Sequence, residues 1–501
     1  MKLEKRVKQR IDNNLDKITK NPYKKVHVFP LWAKIAIPVG SVALTAAVAL
    51  GVILPLSHGQ SLFPSHLQKH RLTTPRVAKK VGERNIRVST TTFNSYTSFA
   101  KKFVSLMMEA NNETKEESLG ISIPDAYICL AITGAISADD ARSDVLSYLE
   151  LNNMDELRTS VTEILSTLGT LTINSDGKYV GGYNLNSVWF NPDKVSLIKE
   201  KDEQLYKDLE EIFDASLYLE ALTSDNANLY LKENGLKDMP VPKIKLDDTD
   251  PSAINTMSTY YCLDYFPEKV KKSYLNEFKS KKHKMDYTFN GNTSKVDYIS
   301  QVNDGTSVYE NDKFYGSTMS IGGNLYIAYF LPNDRNALPS TILDDVLNNN
   351  YHQKESSYFD EINQQVKDTY LHKVTINAPY FSLDNDAGLN KGDLAKILPI
   401  ISDHGAGERI ARANNGYAMY LDYLKQFSIM KFNYDGFYSC SVTITGIEAT
   451  SARLDPTLEE FNLTLDHPYV FEVKKTVLVG DNDRGKLPIV VGEIINPNYQ
   501  D

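Results

Sequence analysis

Asp403, His404 and the triplet Gly405-Ala406-Gly407 are the densest meeting of an acid, an imidazole and flexible backbone in this chain. Such a group could cradle a phosphate or relay a proton, because glycines let backbone N–H groups approach an anion and histidine titrates near neutrality. A phosphate loop also needs a lysine after its last glycine, and none follows here, so the group reads as a Gly-rich turn. No His-Glu-x-x-His, Gly-x-Ser-x-Gly or Gly-x-x-x-x-Gly-Lys-Ser/Thr occurs in the 501 residues. The acids of Glu210-Glu211 and of Glu459-Glu460 are adjacent and cannot face one another as an acid–base couple. Cys129, Cys262 and Cys440 are odd in number, widely spaced and set among apolar or aromatic neighbours. They read as buried free thiols, with one disulfide the most they could form and no metal-site spacing. The chemistry-bearing residues do not converge, so no enzyme, cofactor or metal is expected.

The elements that would have to position a site are easier to read. A hydrophobic fraction of 42% with 30 tyrosines indicates a folded, β-rich chain. A net charge of -9 argues against nucleic acid as a partner, since phosphate binding wants a clustered positive surface. Near the start, a run opened by Ile35 and closed by Leu56 carries no charged residue and is long enough to span a bilayer as a helix. The lysines and arginines before it predict a cytoplasmic N-terminus and an extracellular remainder. A long charged region and no small-x-small cleavage site favour an uncleaved signal anchor over a removed signal peptide. The expected organisation is a basic tail (residues 1–34), a membrane anchor (35–56), a linker (57–90) and a folded domain (91–501). In the linker, His58, His66 and His70 are irregularly spaced near prolines, which suits a solvated tether better than a metal site.

The end of the chain carries an ordered set of motifs. A small-residue stretch, Gly446-Ile447-Glu448-Ala449-Thr450-Ser451-Ala452, precedes a polar interval. Leu465-Asp466-His467-Pro468-Tyr469-Val470-Phe471 and Val491-Gly492-Glu493-Ile494-Ile495-Asn496-Pro497 follow. Upstream stand Phe99, Phe103 and Leu106 at helical spacing, then Ile121-Ser122-Ile123-Pro124-Asp125-Ala126, Asn186-Ser187-Val188-Trp189-Phe190 and Lys313-Phe314-Tyr315-Gly316. The run from Leu325 to Leu331 ends in Pro332. In this order, over roughly residues 90–499, these resemble the serpin family.

The resemblance implies an α+β fold of three β-sheets and about eight or nine helices, with an exposed reactive-centre loop near the C-terminus. It implies a suicide inhibitor of a serine or cysteine endopeptidase, monomeric, whose loop inserts into a sheet once cut. The hinge would be residues 446–452, and the reactive bond would lie among Thr457, Leu458, Glu459, Glu460 and Phe461. Counting forward from the hinge and back from Pro468 gives different bonds within that bracket. Several departures leave open a non-inhibitory surface protein that binds a partner or ligand. Arg453 and Ile447 would face the core on insertion, and only 22 positions separate Gly446 from Pro468. By the same alignment, Phe266 takes the place of a tryptophan above the large sheet. Ser258 and Tyr438 replace an asparagine and a histidine beneath it.

Overall fold

The computed structural model describes residues 66–72, 87–111, 117–173, 179–200, 202–236, 239–265, 282–322, 325–354, 371–433, 436–443, 460–480 and 483–497. The chain divides into two units, residues 1–59 and 60–501. The expected anchor, 35–56, lies outside the described residues, among which no helix is long and apolar enough to cross a membrane. Within the expected linker, residues 66–72 and 87–90 belong to the second unit: Leu67 and Val88 are buried and Arg71 bridges to Tyr218.

In chain order come α1 (His66–Lys69), β1 (Arg87–Val88), α2 (Thr90–Asn111), β2 (Leu119–Ser122), α3 (Pro124–Ile136), α4 (Asp139–Tyr148) and α5 (Met154–Leu168). Then follow β3 (Leu171–Ile173), β4 (Tyr179–Phe190), β5 (Val195–Leu197), α6 (Glu203–Glu211), β6 (Ala215–Tyr218), α7 (Ser224–Asn234) and β7 (Ile254–Tyr265). The middle holds β8 (Lys282–Phe289), β9 (Asn292–Glu310), β10 (Phe314–Gly322), β11 (Leu325–Pro332), α8 (Ser340–Leu347) and β12 (His352–Gln353). Next are β13 (Leu371–Pro379), β14 (Phe381–Leu389), α9 (Lys391–Ile397), β15 (Ala411–Ala413) and β16 (Leu424–Asn433). The chain closes with β17 (Gly436–Thr443), β18 (Glu460–Thr464), β19 (Tyr469–Val479) and β20 (Asp483–Ile494).

Local chemistry explains the helices. Tyr96, Phe99, Phe103 and Met107 recur every three or four residues and form the buried stripe of α2, with Leu106 at its margin. Pro124 opens α3, where its missing N–H costs nothing, and nearly every later residue of that helix is buried. The Asn153 side chain accepts the N–H groups of Asp155 and Glu156 to start α5, and Asn390 with Asp393 forms a capping box on α9.

The strands form a seven-stranded sheet in the order β14-β16-β17-β7-β4-β3, with β6 also on β4, beside a two-stranded one. An eleven-stranded sheet runs β18-β13-β9-β10-β11-β19-β20-β2. The long β9 pairs with β8 and β13 through its first part and with β10 at its end, so two smaller sheets share it. The motif strands stand where their sequences imply. Residues 186–190 lie on β4 in the seven-stranded sheet, and residues 325–331 on β11 in the middle of the other. Strands β19 and β20 pair antiparallel through the core. The Asp-His-Pro and Leu-Pro motifs meet, because His467 Nε2 lies 2.9 Å from the Pro332 carbonyl oxygen. Nine helices and several sheets among the described residues match the expected architecture.

Candidate functional site

Strands β7 and β16 both run antiparallel to β17, so they run parallel to each other with β17 seated between them. The chain leaves β16 at Asn433 and re-enters at Gly436, whose φ of +118° is a conformation that glycine adopts most readily. Phe437, Tyr438 and Ser439 are buried at once on re-entry. The Tyr438 hydroxyl donates to the Pro240 carbonyl at 3.2 Å.

This strand fills only the upper part of the space. It pairs with residues 260–265 of β7 and 428–433 of β16. Lower down, among the described residues, no strand stands between 254–259 and 424–427. A cavity of about 610 Å³ lies there. Thr256, Met257 and Ser258 form one wall, Gln426 and Phe427 the other, and Asp125, Cys129 and Thr133 of α3 the back. Ala406, Gly407, Tyr417, Tyr420 and Tyr423 line its lower end.

Two polar ties hold the walls. Gln426, buried on β16, accepts the Ser122 N–H at 2.8 Å and donates to the Ser122 carbonyl at 2.8 Å. It also donates to the Asp125 carboxylate at 3.3 Å, to which the Ser122 hydroxyl donates as well. On β7, the Ser258 hydroxyl donates to Asn186 Oδ1 at 2.7 Å. The Asn186 amide reaches the Phe213 carbonyl at 2.6 Å, and the Tyr230 hydroxyl donates to the Asn186 carbonyl at 3.1 Å. Cys129 points its sulfur at the Thr256 carbonyl, 3.4 Å away, and burial pushes its thiol up to about 12, which leaves it a poor nucleophile. Cys129 and Cys262 are thiols outside any disulfide, Cys262 buried as expected and Cys129 half-buried; the Cys440 side chain is outside the described residues.

Of the residues singled out in the sequence, Gly446, Ile447, Glu448, Ala449, Thr450, Ser451, Ala452, Thr457, Leu458 and Glu459 lie outside the described residues, as does Phe266. Glu460 and Phe461 begin β18, in parallel register with Lys373 and Val374 of β13. Lys373 pairs with Glu460 at 2.6 Å, and the Phe461 ring packs edge-on against Tyr315 at 6.0 Å. Ser258 does hold a hydrogen bond beneath the sheet, but Tyr438 does not take the position expected of it. It belongs to the seated strand, and the residue tying β16 to α3 is Gln426. The signal for the earlier turn was present: residues 433–436 read Asn-Tyr-Asp-Gly, and Asp-Gly is a strong hairpin sequence. The bulk of Phe437 and Tyr438 does not mark residues 436–443 as an inserting strand, whereas the small residues of 446–452 resemble a hinge.

No family model matches the sequence, and no curated protein does. Solved structures do match in fold. The native stressed form of Arabidopsis AtSerpin1 superposes with a TM-score of 0.55 at 14% identity, covering 82% of this chain and 100% of that one. The thermophilic serpin tengpin matches in its native state with a TM-score of 0.54 at 12% identity, covering 83% of this chain and 97% of that one. Its latent state gives 0.54 at 13%, covering 82% and 99%, so overall similarity does not distinguish the two states and the strand order has to. At such identities the likeness concerns the fold: this chain has the architecture of a serpin.

Proposed function

We propose that this chain is a serpin-type suicide inhibitor of a serine or cysteine endopeptidase, tethered to a membrane by residues 35–56, with its folded domain extracellular. The observation that carries this reading is β17, seated between two parallel strands above the cavity of about 610 Å³. A strand parked halfway can advance. Through Ser441 the register is regular, with Gly436 opposite Tyr265 and Ser441 opposite Tyr260, and it shifts at Val442 and Thr443. Continued without that shift, residues 442–447 would stand opposite 259–254, down to the lower end of β7. The advancing segment then includes Gly446 and Ile447 of the sequence-read hinge, and Glu448 and Arg453 fall beyond the sheet and need not be buried. The start of β18 at Glu460 supports a cut in the stretch before it, with Thr457, Leu458 and Glu459 as the preferred candidates of the bracket that also held Glu460 and Phe461.

Cleavage would free residues 444–447 to exchange water for backbone hydrogen bonds on both sides, which is a β-augmentation by the chain's own strand. The inhibition would be kinetic: the strand must move before the acyl-enzyme hydrolyses. Incubating the full-length chain with a panel of serine and cysteine endopeptidases tests this. The expected outcome is an SDS-resistant covalent complex and a cut form more heat-resistant than the intact one.

A second reading is a non-inhibitory serpin-fold surface protein binding a partner. It is favoured by the same strand, since a loop already part-inserted has released part of its driving energy before any cut. Equal heat resistance of cut and intact forms would select that reading.

A further inference from the structure

The group around His404, which the loop mechanism does not use, lies in the segment that closes the lower end of the gap. Its imidazole has a carboxylate at each nitrogen. Asp140 Oδ2 is 2.9 Å from Nε2, and Asp403 Oδ2 is 3.1 Å from Nδ1. A neutral imidazole has one N–H and can serve only one of them, whereas an imidazolium donates to both. The arrangement therefore favours the charged form, and hydrogen bonding to Asp140 and then Asp403 holds His404 above its ordinary value of 6.5.

The contact joins two separate parts of the chain. Asp140 stands in the first turn of α4, and the segment 400–411 lies across that turn. Gly405, at φ +82°, fits so tightly that a Cβ would come within 2.9 Å of the Ala141 Cβ. The Ala138 N–H donates to the Gly405 carbonyl at 2.9 Å, and the Asp144 carboxylate accepts the N–H groups of Ile400 and Ile401 at 2.9 and 3.1 Å. On its other side the same segment supports the gap. Ala406 and Gly407 line the cavity, and the Ala406 N–H donates to the Met419 carbonyl at 3.0 Å, on the stretch that leads into β16. The surrounding charges are Asp139, bonded to Arg142, and Asp144 on α4, then Glu408 and Arg409 in the segment, with Arg409 bonded to Asp202 before α6. Among these groups, His404 alone has an ordinary titration between pH 5 and 8.

We propose that His404 is a pH-sensitive clasp, fastening the 400–411 segment to α4 and thereby setting how readily the gap between β7 and β16 widens for the advancing strand. The group's pKa is raised on folding, so its contribution is complete below about 6.5 and is lost as pH climbs through the raised value. Advance is slow with the clasp closed and faster with it open. The effect on advance rests on the reading of residues 444–447 given above, while the clasp rests on the His404 contacts to Asp140 and Asp403.

The test uses the full-length chain and two readouts at about pH 6 and about pH 8.5, on either side of an ordinary histidine titration. Hydrogen exchange of the 400–411 segment, corrected for the intrinsic pH dependence, reports the clasp. The rate at which chain cut before Glu460 becomes heat-resistant reports strand advance. Wild type should exchange faster at the higher pH, by about two- to fivefold, because both ion pairs are solvent-exposed and screened. Advance should accelerate in the same window. His404→Gln should show the fast behaviour at both values, and Asp140→Asn, which keeps the histidine, should move the step to lower pH. An exchange step that persists in His404→Gln, or is absent from wild type, overturns the clasp. A step in exchange with no pH dependence of advance overturns its coupling to the gap. Neither readout uses protease trapping, so a failure to trap would count against the inhibitor reading alone.

Discussion

Replacing Gln426 should loosen the lower end of the seven-stranded sheet by a calculable amount. Its amide satisfies two backbone groups of Ser122, each at 2.8 Å, and that residue is fully buried. Gln426→Ala strands one donor and one acceptor, at about 1–3 kcal/mol each, so the loss should be about 2–6 kcal/mol. The adjoining cavity admits water, which places the expectation toward the lower end. Urea unfolding of the intact chain measures the loss, and the rate of strand advance after cutting should rise in parallel. Gln426→Glu gives a sharper comparison. Its carboxylate would meet that of Asp125 where the amide now donates at 3.3 Å, and two such groups share a proton in preference to both ionising. The new acid would have a folded pKa above its unfolded one. The variant should therefore approach wild type in acid and lose stability as pH rises through that raised value. A loss under about 0.5 kcal/mol for Gln426→Ala, the range of an ordinary surface change, would refute the reasoning. So would a Gln426→Glu deficit that does not change with pH.

Glu472 is buried on β19 beside Lys474, and burial raises its carboxyl above the ordinary 4.5. Its contribution is complete below that value and declines as pH rises, so Glu472→Gln should flatten the fall in stability from pH 4.5 upward, read by urea unfolding across pH. Cys129, with its thiol held near 12 and its sulfur on Thr256, should resist a thiol reagent at neutral pH in the native chain and react at once in denaturant. Cells expressing the full chain should retain it in the membrane fraction, with added protease reaching residues beyond 56. A soluble product beginning near residue 60 would instead mean a cleaved signal.

Much of this architecture can be read from short stretches of sequence, because the responsible forces act over short stretches. The spacing of Phe99 and Phe103 selects one face of α2, and Pro124 sets the start of α3. The short apolar stretches Tyr469-Val470-Phe471 of β19 and Ile489-Val490-Val491 of β20 read as interior strand, whereas Glu472, Lys474, Lys475 and Glu493 on the same strands are buried without any sign of it in their types. The order of the C-terminal motifs points to the fold without any tertiary contact. What the tertiary structure alone decided is where distant segments meet. Gln426 finds Ser122 across 304 positions, and His404 finds Asp140 across 264. No local pattern marks such partners, because each side chain alone reads as an ordinary polar residue. The seating of β17 belongs to the same class. Residues 436–443 have a strand's composition wherever they lie, but only the separation of β7 from β16, two strands far apart in the chain, makes room for them between the two.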